Sequence, residues 1–290
     1  MKHRHFAPHA PCLLLAQSHE GVAWSELFAA YDNILARHWP TFSSTTVPTS
    51  FGCTHVNLAG PLDGPLVLLI HGSGASSVQW ASLSKALSTK YRVIAPDLIA
   101  EVGRSVLSNV KRTPASDEEI IEWMHEVING LGLQGKLINI VGFSYGSWVA
   151  AKFASRSPEI VKKLVLISPA GIFYPLSAWF FLKVLPAVIF KSEARILAAL
   201  QYMTKDGSLD PLMHADILRF FVASFRSPHF DHKPLPPPAP LPDDSLRCIT
   251  ARTLLLVGEF ERVNTYGPAK ALARARRYLP HCETKLVTGE

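Results

Sequence analysis

An apolar run from Leu137 to Val141 stops on a Gly-x-Ser-x-Gly pattern, and no other feature constrains the fold of this chain as strongly. A buried strand that turns sharply into a helix needs small residues on both sides of the turn, and Gly142 and Gly146 supply them. A turn of this kind lifts one hydroxyl clear of the sheet. Ser144 occupies that position, so it is a candidate nucleophile.

From about residue 54, short apolar runs alternate with helical patterns. This alternation predicts an α/β fold, a mostly parallel twisted sheet with helices on both faces. The central runs are continuously apolar, as expected of strands that are covered on both faces. The best-marked helix follows Ser116, which forms a capping box with Glu119. The predicted strands are Thr54–Leu58, Leu66–Ile70, Arg92–Ala95, Leu137–Val141, Leu164–Ile167, Thr253–Val257 and Thr284–Val287.

Two stretches break the alternation. Residues 1–50 are predicted to form an N-terminal helical extension. Residues 171–250 are rich in aromatic side chains and are predicted to form a helical cap or lid, because long insertions in compact domains usually serve binding. Their proline-rich end, residues 234–242, predicts a stiff spacer that returns the chain to the sheet, or alternatively a ligand for a proline-binding domain. The α/β core then comprises residues 51–170 and 251–290.

A second motif, His71-Gly72-Ser73-Gly74, directly follows the apolar run that ends at Ile70. In serine hydrolases with this motif, the loop donates one backbone N–H to the developing oxyanion, and the residue after the nucleophile donates another. The predicted donors are therefore the N–H groups of Ser73 and Tyr145. His71 is a second candidate for the catalytic base, but it precedes the serine, and we expect its ring to brace the loop.

These motifs together resemble the α/β-hydrolase superfamily, in its capped carboxylesterase-like branch. The resemblance runs from about residue 50 to the end of the chain. It implies an eight-stranded sheet, the order nucleophile–acid–histidine along the chain, and a substrate pocket between sheet and cap; it does not specify the substrate. The segments that carry it are His71–Gly74, Pro96–Asp97 with Gly103–Ser105, Gly142–Gly146, Ser168–Ala170 and Gly258–Glu261.

The resemblance places the catalytic acid just past the seventh strand, in a Gly-x-x-acid pattern. In this sequence that residue is Glu261, and a glutamate can orient an imidazolium as an aspartate does. Glu259 is the second candidate, and a solvated loop carboxylate is the non-catalytic alternative. Asp97 also ends a predicted strand, but the family gives that position a structural role.

The family histidine follows the last strand, which here is the segment 283–287 close to the end of the chain. His281 is the only histidine after Glu261, and it precedes that strand, so we expect the catalytic histidine to fall a few residues beyond Glu290. The helix that usually follows is absent as well. A truncated copy of an active enzyme and a degenerate non-enzymatic relative both fit this pattern, and the intact motifs favour truncation.

The predicted function of the parent enzyme is hydrolysis of carboxylic esters through an acyl-enzyme on Ser144, and the missing histidine predicts impaired activity for this chain. The alternatives are C–C bond hydrolysis or acyl transfer on the same fold, and a non-catalytic binding protein. A serine nucleophile argues against the haloalkane dehalogenase and epoxide hydrolase branches, which use aspartate there. The aromatic cap favours a hydrophobic acyl or aryl ester.

Composition limits the remaining possibilities. The net charge of +6 is modest for 290 residues, and the basic helix near residue 274 is predicted to be a solvated face, so no nucleic-acid partner is expected. The four cysteines lack metal-ligand spacing, and the motifs need neither metal nor cofactor. No apolar run is long enough to span a bilayer. We predict a cytoplasmic protein that acts on a small-molecule ester or acyl substrate.

Overall fold

The computed structural model describes residues 22–39, 41–108, 113–204, 215–227 and 235–289. Within these ranges one sheet of nine strands has the order β1-β2-β4-β3-β6-β7-β8-β9, with the short strand β5 paired to β2. The strands are β1 (Ser43–Thr49), β2 (Gly52–Ala59), β3 (Leu66–Ile70), β4 (Arg92–Pro96), β5 (Val106–Leu107), β6 (Ile138–Phe143), β7 (Val161–Ile167), β8 (Arg252–Gly258) and β9 (Cys282–Val287).

Helices cover both faces of the sheet. Among the described residues they are α1 (Val22–His38), α2 (Ala81–Leu87), α3 (Asp117–Gly130), α4 (Tyr145–Arg156), α5 (Ala178–Phe190), α6 (Glu193–Met203), α7 (Ala215–Arg226), α8 (Asp243–Arg247) and α9 (Pro268–Tyr278), with a 3₁₀ turn at Ser77–Trp80. None of these helices is long and apolar enough to cross a membrane. The predicted capping box is present, since Ser116 Oγ accepts a hydrogen bond from the N–H of Glu119 at 3.3 Å.

The strands β4, β3, β6, β7, β8 and β9 pair in parallel. Their carboxyl ends therefore meet at one edge of the sheet, where open α/β sheets place their binding sites. The β2 strand is antiparallel to β1, β4 and β5. The predicted fold class, a mostly parallel sheet with helices on both faces, is confirmed.

The sheet core is buried on two sides, as its continuous apolar strands predict. In β3, Leu68 and Ile70 belong to the cluster on one face, whereas Val67 and Leu69 belong to the cluster on the other. All five β3 side chains are buried. This double burial explains why the strand shows no apolar–polar alternation in the sequence.

The sheet begins earlier than the sequence analysis predicted. Residues 43–49, assigned there to a helical extension, form the edge strand β1, in register with β2 from Ser43 opposite Leu58 to Thr49 opposite Gly52. This strand, Ser-Ser-Thr-Thr-Val-Pro-Thr, lacks an apolar run, and only its Val47 is buried. Edge strands tolerate polar side chains and proline, so hydrophobic patterning does not reveal them.

The segment between β7 and β8 carries helices α5, α6 and α7, which share a small hydrophobic cluster of their own. The aromatic side chains of α5 do not all turn inward, since Trp179 is 66% exposed and Phe181 is 53% exposed. After these helices the chain returns through residues 235–242, which have no regular secondary structure and lie along α4. The Nε1–H of Trp148 donates to the carbonyl oxygen of Ala239 at 2.9 Å.

Candidate active site

Ser144 joins β6 to α4 with φ of 53° and ψ of −115°. Residues with a side chain avoid this region, and occupying it costs on the order of 1–3 kcal/mol. The N–H of Ser144 donates to the carbonyl oxygen of Ile167 at 2.9 Å, and its own carbonyl oxygen accepts from the N–H of Ala170 at 3.2 Å. The β7 strand and the loop that follows it therefore hold the strained turn in place at the carboxyl edge of the sheet.

The two glycines of the motif are required by close backbone approach. A Cβ atom on Gly142 would lie 2.4 Å from the carbonyl oxygen of Gly146. A Cβ atom on Gly146 would lie 2.2 Å from the carbonyl oxygen of Ile70 at the end of β3. Both positions are closed to any side chain, so the spacing of the motif follows from the packing of α4 against β3 and β6.

The loop after β3 lies directly against the candidate nucleophile. A Cβ atom on Gly72 would lie 3.3 Å from Cβ of Ser144. Within the described part of the chain, the Ser73 N–H donates to no acceptor, whereas its neighbours on both sides do. Those neighbouring bonds are Gly72 N to Gln79 Oε1 (3.1 Å), Gly74 N to Glu101 Oε2 (2.9 Å) and Ala75 N to the Gly72 carbonyl oxygen (3.3 Å).

Tyr145 begins α4, so its N–H lacks an intrahelical acceptor and belongs to the positive end of the helix dipole. Its side chain is buried, and the phenol donates to the carbonyl oxygen of Pro236 at 3.0 Å. Burial, with a smaller contribution from the charge of Glu101, raises the pKa of Tyr145, so the phenol stays neutral. Its side chain thus anchors the returning segment, while its backbone N–H and that of Ser73 have no acceptor within the described ranges.

His71 is fully buried and uses both of its ring nitrogens in the protein. Nε2 accepts from the N–H of Leu98 at 2.9 Å, so the proton resides on Nδ1, which donates to the carbonyl oxygen of Gly72 at 2.8 Å. A ring engaged in this way has no nitrogen left for the Ser144 hydroxyl. His71 braces the loop, as the sequence analysis expected.

Glu261 lies in the loop after β8, which is two strands away from β6 in the sheet. Its Oε1 accepts from the N–H of Val263 at 2.5 Å and from the N–H of Asn264 at 3.1 Å. Burial raises the pKa of Glu261, and these hydrogen bonds partly oppose that effect. Because neighbouring strands lie about 4.8 Å apart, β6 and β8 are separated by roughly 10 Å, enough for one imidazole between serine and acid.

Asn264 connects the loop of the candidate acid to the loop beside the nucleophile, and the sequence analysis did not identify it. Its Nδ2 donates to the carbonyl oxygen of Pro169 at 3.0 Å, and its Oδ1 accepts from the N–H of Gly171 at 2.9 Å. The residue between these two partners, Ala170, donates to the carbonyl oxygen of Ser144. In the sequence, the only sign of this connecting role is an amide side chain three residues after the candidate acid.

Asp97 is fully buried and serves the structure. Its Oδ1 accepts from the N–H and the hydroxyl of Ser77, at 2.8 and 2.6 Å. Its Oδ2 accepts from the Tyr31 hydroxyl at 3.1 Å and from the Arg104 N–H at 2.7 Å. With four donors bound, this carboxylate fixes the turns after β3 and β4, which agrees with the role that the resemblance implied.

His281 lies at the opposite edge of the sheet from Ser144. It is exposed and precedes β9, and its carbonyl oxygen accepts from the N–H of Thr253 at the start of β8. The six residues of β9 separate it from the carboxyl edge by roughly 20 Å. Of the other described histidines, His71 braces the loop, and each of the remaining three interacts with a side chain that lies away from Ser144. Those three are His38 with Asp216, His55 with Tyr31 and His125 with Ser157.

Comparison with known proteins agrees with this architecture. The model of the alpha/beta hydrolase fold family matches residues 65–248, which is more than half of the chain. The chain belongs to the α/β-hydrolase family.

Several relatives are similar over most of their length. The chain is 30% identical over 254 residues to the uncharacterized carboxylesterase nap of Bacillus subtilis, covering 86% of this chain and 80% of the relative. It is 30% identical over 270 residues to carboxylesterase YbfK of the same organism, covering 90% of this chain and 85% of that relative. The crystal structure of naproxen esterase (carboxylesterase NP) from Bacillus subtilis superimposes with a TM-score of 0.81 at 27% identity, over 93% of this chain and 92% of that one.

Proposed function

We propose that the protein is a serine carboxylesterase in which Ser144 is the nucleophile, Glu261 is the acid, and the N–H groups of Ser73 and Tyr145 bind the oxyanion. One observation carries the proposal. A strained serine lies against a loop whose Ser73 N–H donates to no acceptor among the described residues, at the edge where the parallel strands end. The names of the two Bacillus subtilis relatives, both carboxylesterases, support the substrate class.

In this mechanism the Ser144 Oγ attacks the ester carbonyl carbon, and the carbonyl oxygen becomes an oxyanion bound by the two N–H groups. The tetrahedral intermediate collapses, the C–O bond breaks, and the alcohol leaves with the proton that Ser144 gave up. Water then attacks the acyl-enzyme and releases the carboxylic acid. The two donors lie on a strand-linked loop and a helix terminus, so they need little rearrangement as charge develops.

The proton acceptor in this scheme is an imidazole that Glu261 orients. The β9 strand is parallel to β8 and ends at the same edge of the sheet as β6. The loop after β9 is therefore the position from which a histidine reaches between Ser144 and Glu261. A cytoplasmic location also stays a prediction.

Residues 171–250 are proposed to cap the site. Helices α5, α6 and α7 have their own hydrophobic cluster, and α7 packs against α1. Ser224 of α7 donates a hydrogen bond to Gly74 in the loop after β3, at 2.8 Å. That contact supports a cap that sits over the oxyanion loop.

Labelling with a fluorophosphonate probe tests the nucleophile. We expect the probe to modify Ser144 in a version of the chain that carries a histidine in the loop after β9, and to modify the 290-residue chain far more slowly, because a serine without a base loses most of its reactivity. The variant S144A is the matched control. Labelling that persists in S144A, or no labelling of either wild-type version, would contradict the proposal and favour a non-catalytic binding protein.

A substrate panel tests the reaction class. We expect kcat/KM to be highest for p-nitrophenyl esters of short and medium acids, compared with ring-cleavage diketones and acyl-thioester donors. Faster turnover of a diketone would assign C–C bond hydrolysis instead. Product transfer to an added alcohol in preference to water would assign acyl transfer.

A further inference from the structure

The loop that supplies the Ser73 N–H is held from two sides at a single residue, Gly74. Its N–H donates to Glu101 Oε2 at 2.9 Å. Its carbonyl oxygen accepts from the Ser224 hydroxyl at 2.8 Å. Gly74 has a φ of +71°, a conformation that L side chains rarely adopt, so these bonds hold it in a backbone state that favours glycine.

Glu101 is a carboxylate in an otherwise apolar turn, and it is only 8% exposed. Besides binding the Gly74 N–H, it accepts from the Ser73 hydroxyl through Oε1 at 2.6 Å. Short hydrogen bonds to a buried carboxylate are about twice as strong as bonds between neutral groups. Burying this charge is costly, and its two bonds to the loop help to offset the cost.

The turn that carries Glu101 is itself fixed. Ala100, the preceding residue, has a φ of 61°, which is strained for a residue with a side chain. The same turn begins at Leu98, whose N–H donates to the ring of His71 at the other end of the loop. The turn after β4 therefore holds the loop after β3 at both of its ends, at His71 and at Ser73–Gly74.

Ser224 adds a contact from a different part of the chain. It lies on α7, is fully buried, and is separated from Gly74 by 150 positions in the sequence. The neighbouring Ser227 is equally buried, but its hydroxyl donates to the carbonyl oxygen of Ser224 and not to the loop. Ser224 is thus a direct connection between the helices of the insertion and the oxyanion loop.

We propose that Glu101 and Ser224 are positioning residues, which clamp Gly74 from both sides and so keep the Ser73 N–H directed at the oxyanion. This inference rests on the proposed function. Glu101 fixes the peptide group between Ser73 and Gly74, and Ser224 fixes the one that follows. Loss of either contact lets the Ser73 N–H rotate away from Ser144, which weakens binding of the transition state more than binding of the ester.

The kinetic test uses a p-nitrophenyl ester and compares E101A, E101Q, S224A and S227A with the unsubstituted protein, all in the version of the chain that carries a histidine after β9. We expect E101A to lower kcat by about 10- to 100-fold with KM within about twofold, since the lost interaction belongs to the transition state. A glutamine can accept from the Gly74 N–H and donate to the Ser73 hydroxyl, so E101Q should recover most of the rate. The expected loss for S224A is about 3- to 10-fold, and S227A should match the wild type.

A second readout does not depend on catalysis. Hydrogen exchange of the Gly74 amide should be slow in the wild type, E101Q and S227A, and much faster in E101A, because its acceptor is lost. If E101A does not fold, S73A takes its place. That variant keeps the backbone N–H, deletes the hydroxyl that binds Glu101, and should lower kcat severalfold.

The outcomes separate the two proposals. An unchanged kcat together with unchanged Gly74 exchange in E101A and S224A would overturn the positioning role, and so would an equal loss in S227A and S224A. If the unsubstituted protein in that version hydrolyses no ester, the proposed function fails, and Gly74 exchange alone then decides whether Glu101 clamps the loop.

Discussion

Asn264 donates a hydrogen bond to the carbonyl oxygen of Pro169 at 3.0 Å, and this bond joins the loop of the candidate acid to the loop that supports the nucleophile. Both loops follow neighbouring parallel strands, β7 and β8, so they emerge side by side. This bond is one of the contacts that fix the position of Glu261 relative to Ser144, together with the parallel pairing of β7 with β8. Catalytic geometry in such a site depends on residues that never touch a substrate.

The first prediction concerns that connection. We expect N264A to lower kcat/KM by about 10- to 100-fold, because displacements near 1 Å between reacting groups have effects of that size. The free energy of unfolding should fall by about 2 kcal/mol, since two buried backbone groups lose their partner.

N139A is the matched control for N264A. Asn139 also donates its amide to a backbone carbonyl, that of Leu66 at 2.8 Å, but it lies near the start of β6, far from the carboxyl edge. Its replacement should reduce stability without reducing kcat/KM per folded molecule. Equal loss of activity in the two variants, measured with steady-state kinetics, would remove the specific role of Asn264.

The second prediction concerns strain at Ser144. Its φ of 53° suits glycine, so S144G should be more stable than S144A by about 1 kcal/mol. Both variants should be inactive, because the hydroxyl is gone. Thermal or urea unfolding measures the difference, and an S144G protein less stable than S144A would show that the turn is unstrained.

The third prediction concerns the packing of α4. A methyl group at Gly146 would collide with the carbonyl oxygens of Ile70 and His71, at 2.2 and 2.4 Å. We expect G146A to lower the free energy of unfolding by about 3 kcal/mol. G267A is the control, because nothing lies within 4 Å of that Cβ position, and it should change stability by less than about 0.5 kcal/mol. Similar unfolding curves for the two variants would refute the close approach.

The fourth prediction concerns pH. Burial raises the pKa of Glu261 in the folded protein, so the native state holds its proton to higher pH than the unfolded chain does. Its contribution to stability is then fully present below the ordinary glutamate pKa, about 4.3, and is lost as the pH rises through the raised value. Activity should instead rise with pH over this range, because the ionised carboxylate of Glu261 orients the imidazole.

Urea unfolding between pH 4 and 7 checks the fourth prediction. The difference in unfolding free energy between wild type and E261Q should fall with rising pH, since glutamine does not titrate. Burial also raises the pKa of Glu101. This residue is present in both proteins, so its effect cancels in the comparison. A difference in unfolding free energy that stays constant, or that grows with pH, would mean that folding does not raise the pKa of Glu261.

The sequence by itself determined the parts of this protein that depend on local rules. Continuous apolar runs located seven strands, and the Gly-x-Ser-x-Gly spacing located the strained turn, because only that backbone needs two glycines so placed. The loop His71–Gly74 was located by its position after a strand, whereas the candidate acid Glu261 was located through the resemblance to a known family. Each of these signals is contained in a few consecutive residues.

Only the tertiary structure decided which side chains hold the site together. Glu101 and Ser224 reach Gly74 from 27 and 150 positions away, and Asn264 reaches Pro169 from 95 positions away. The edge strand β1 likewise exists through pairing with β2, since its Ser- and Thr-rich sequence shows no apolar pattern. Hydrogen bonds between distant segments leave no periodic trace in a sequence, because their partners are brought together only when the sheet and its helices pack.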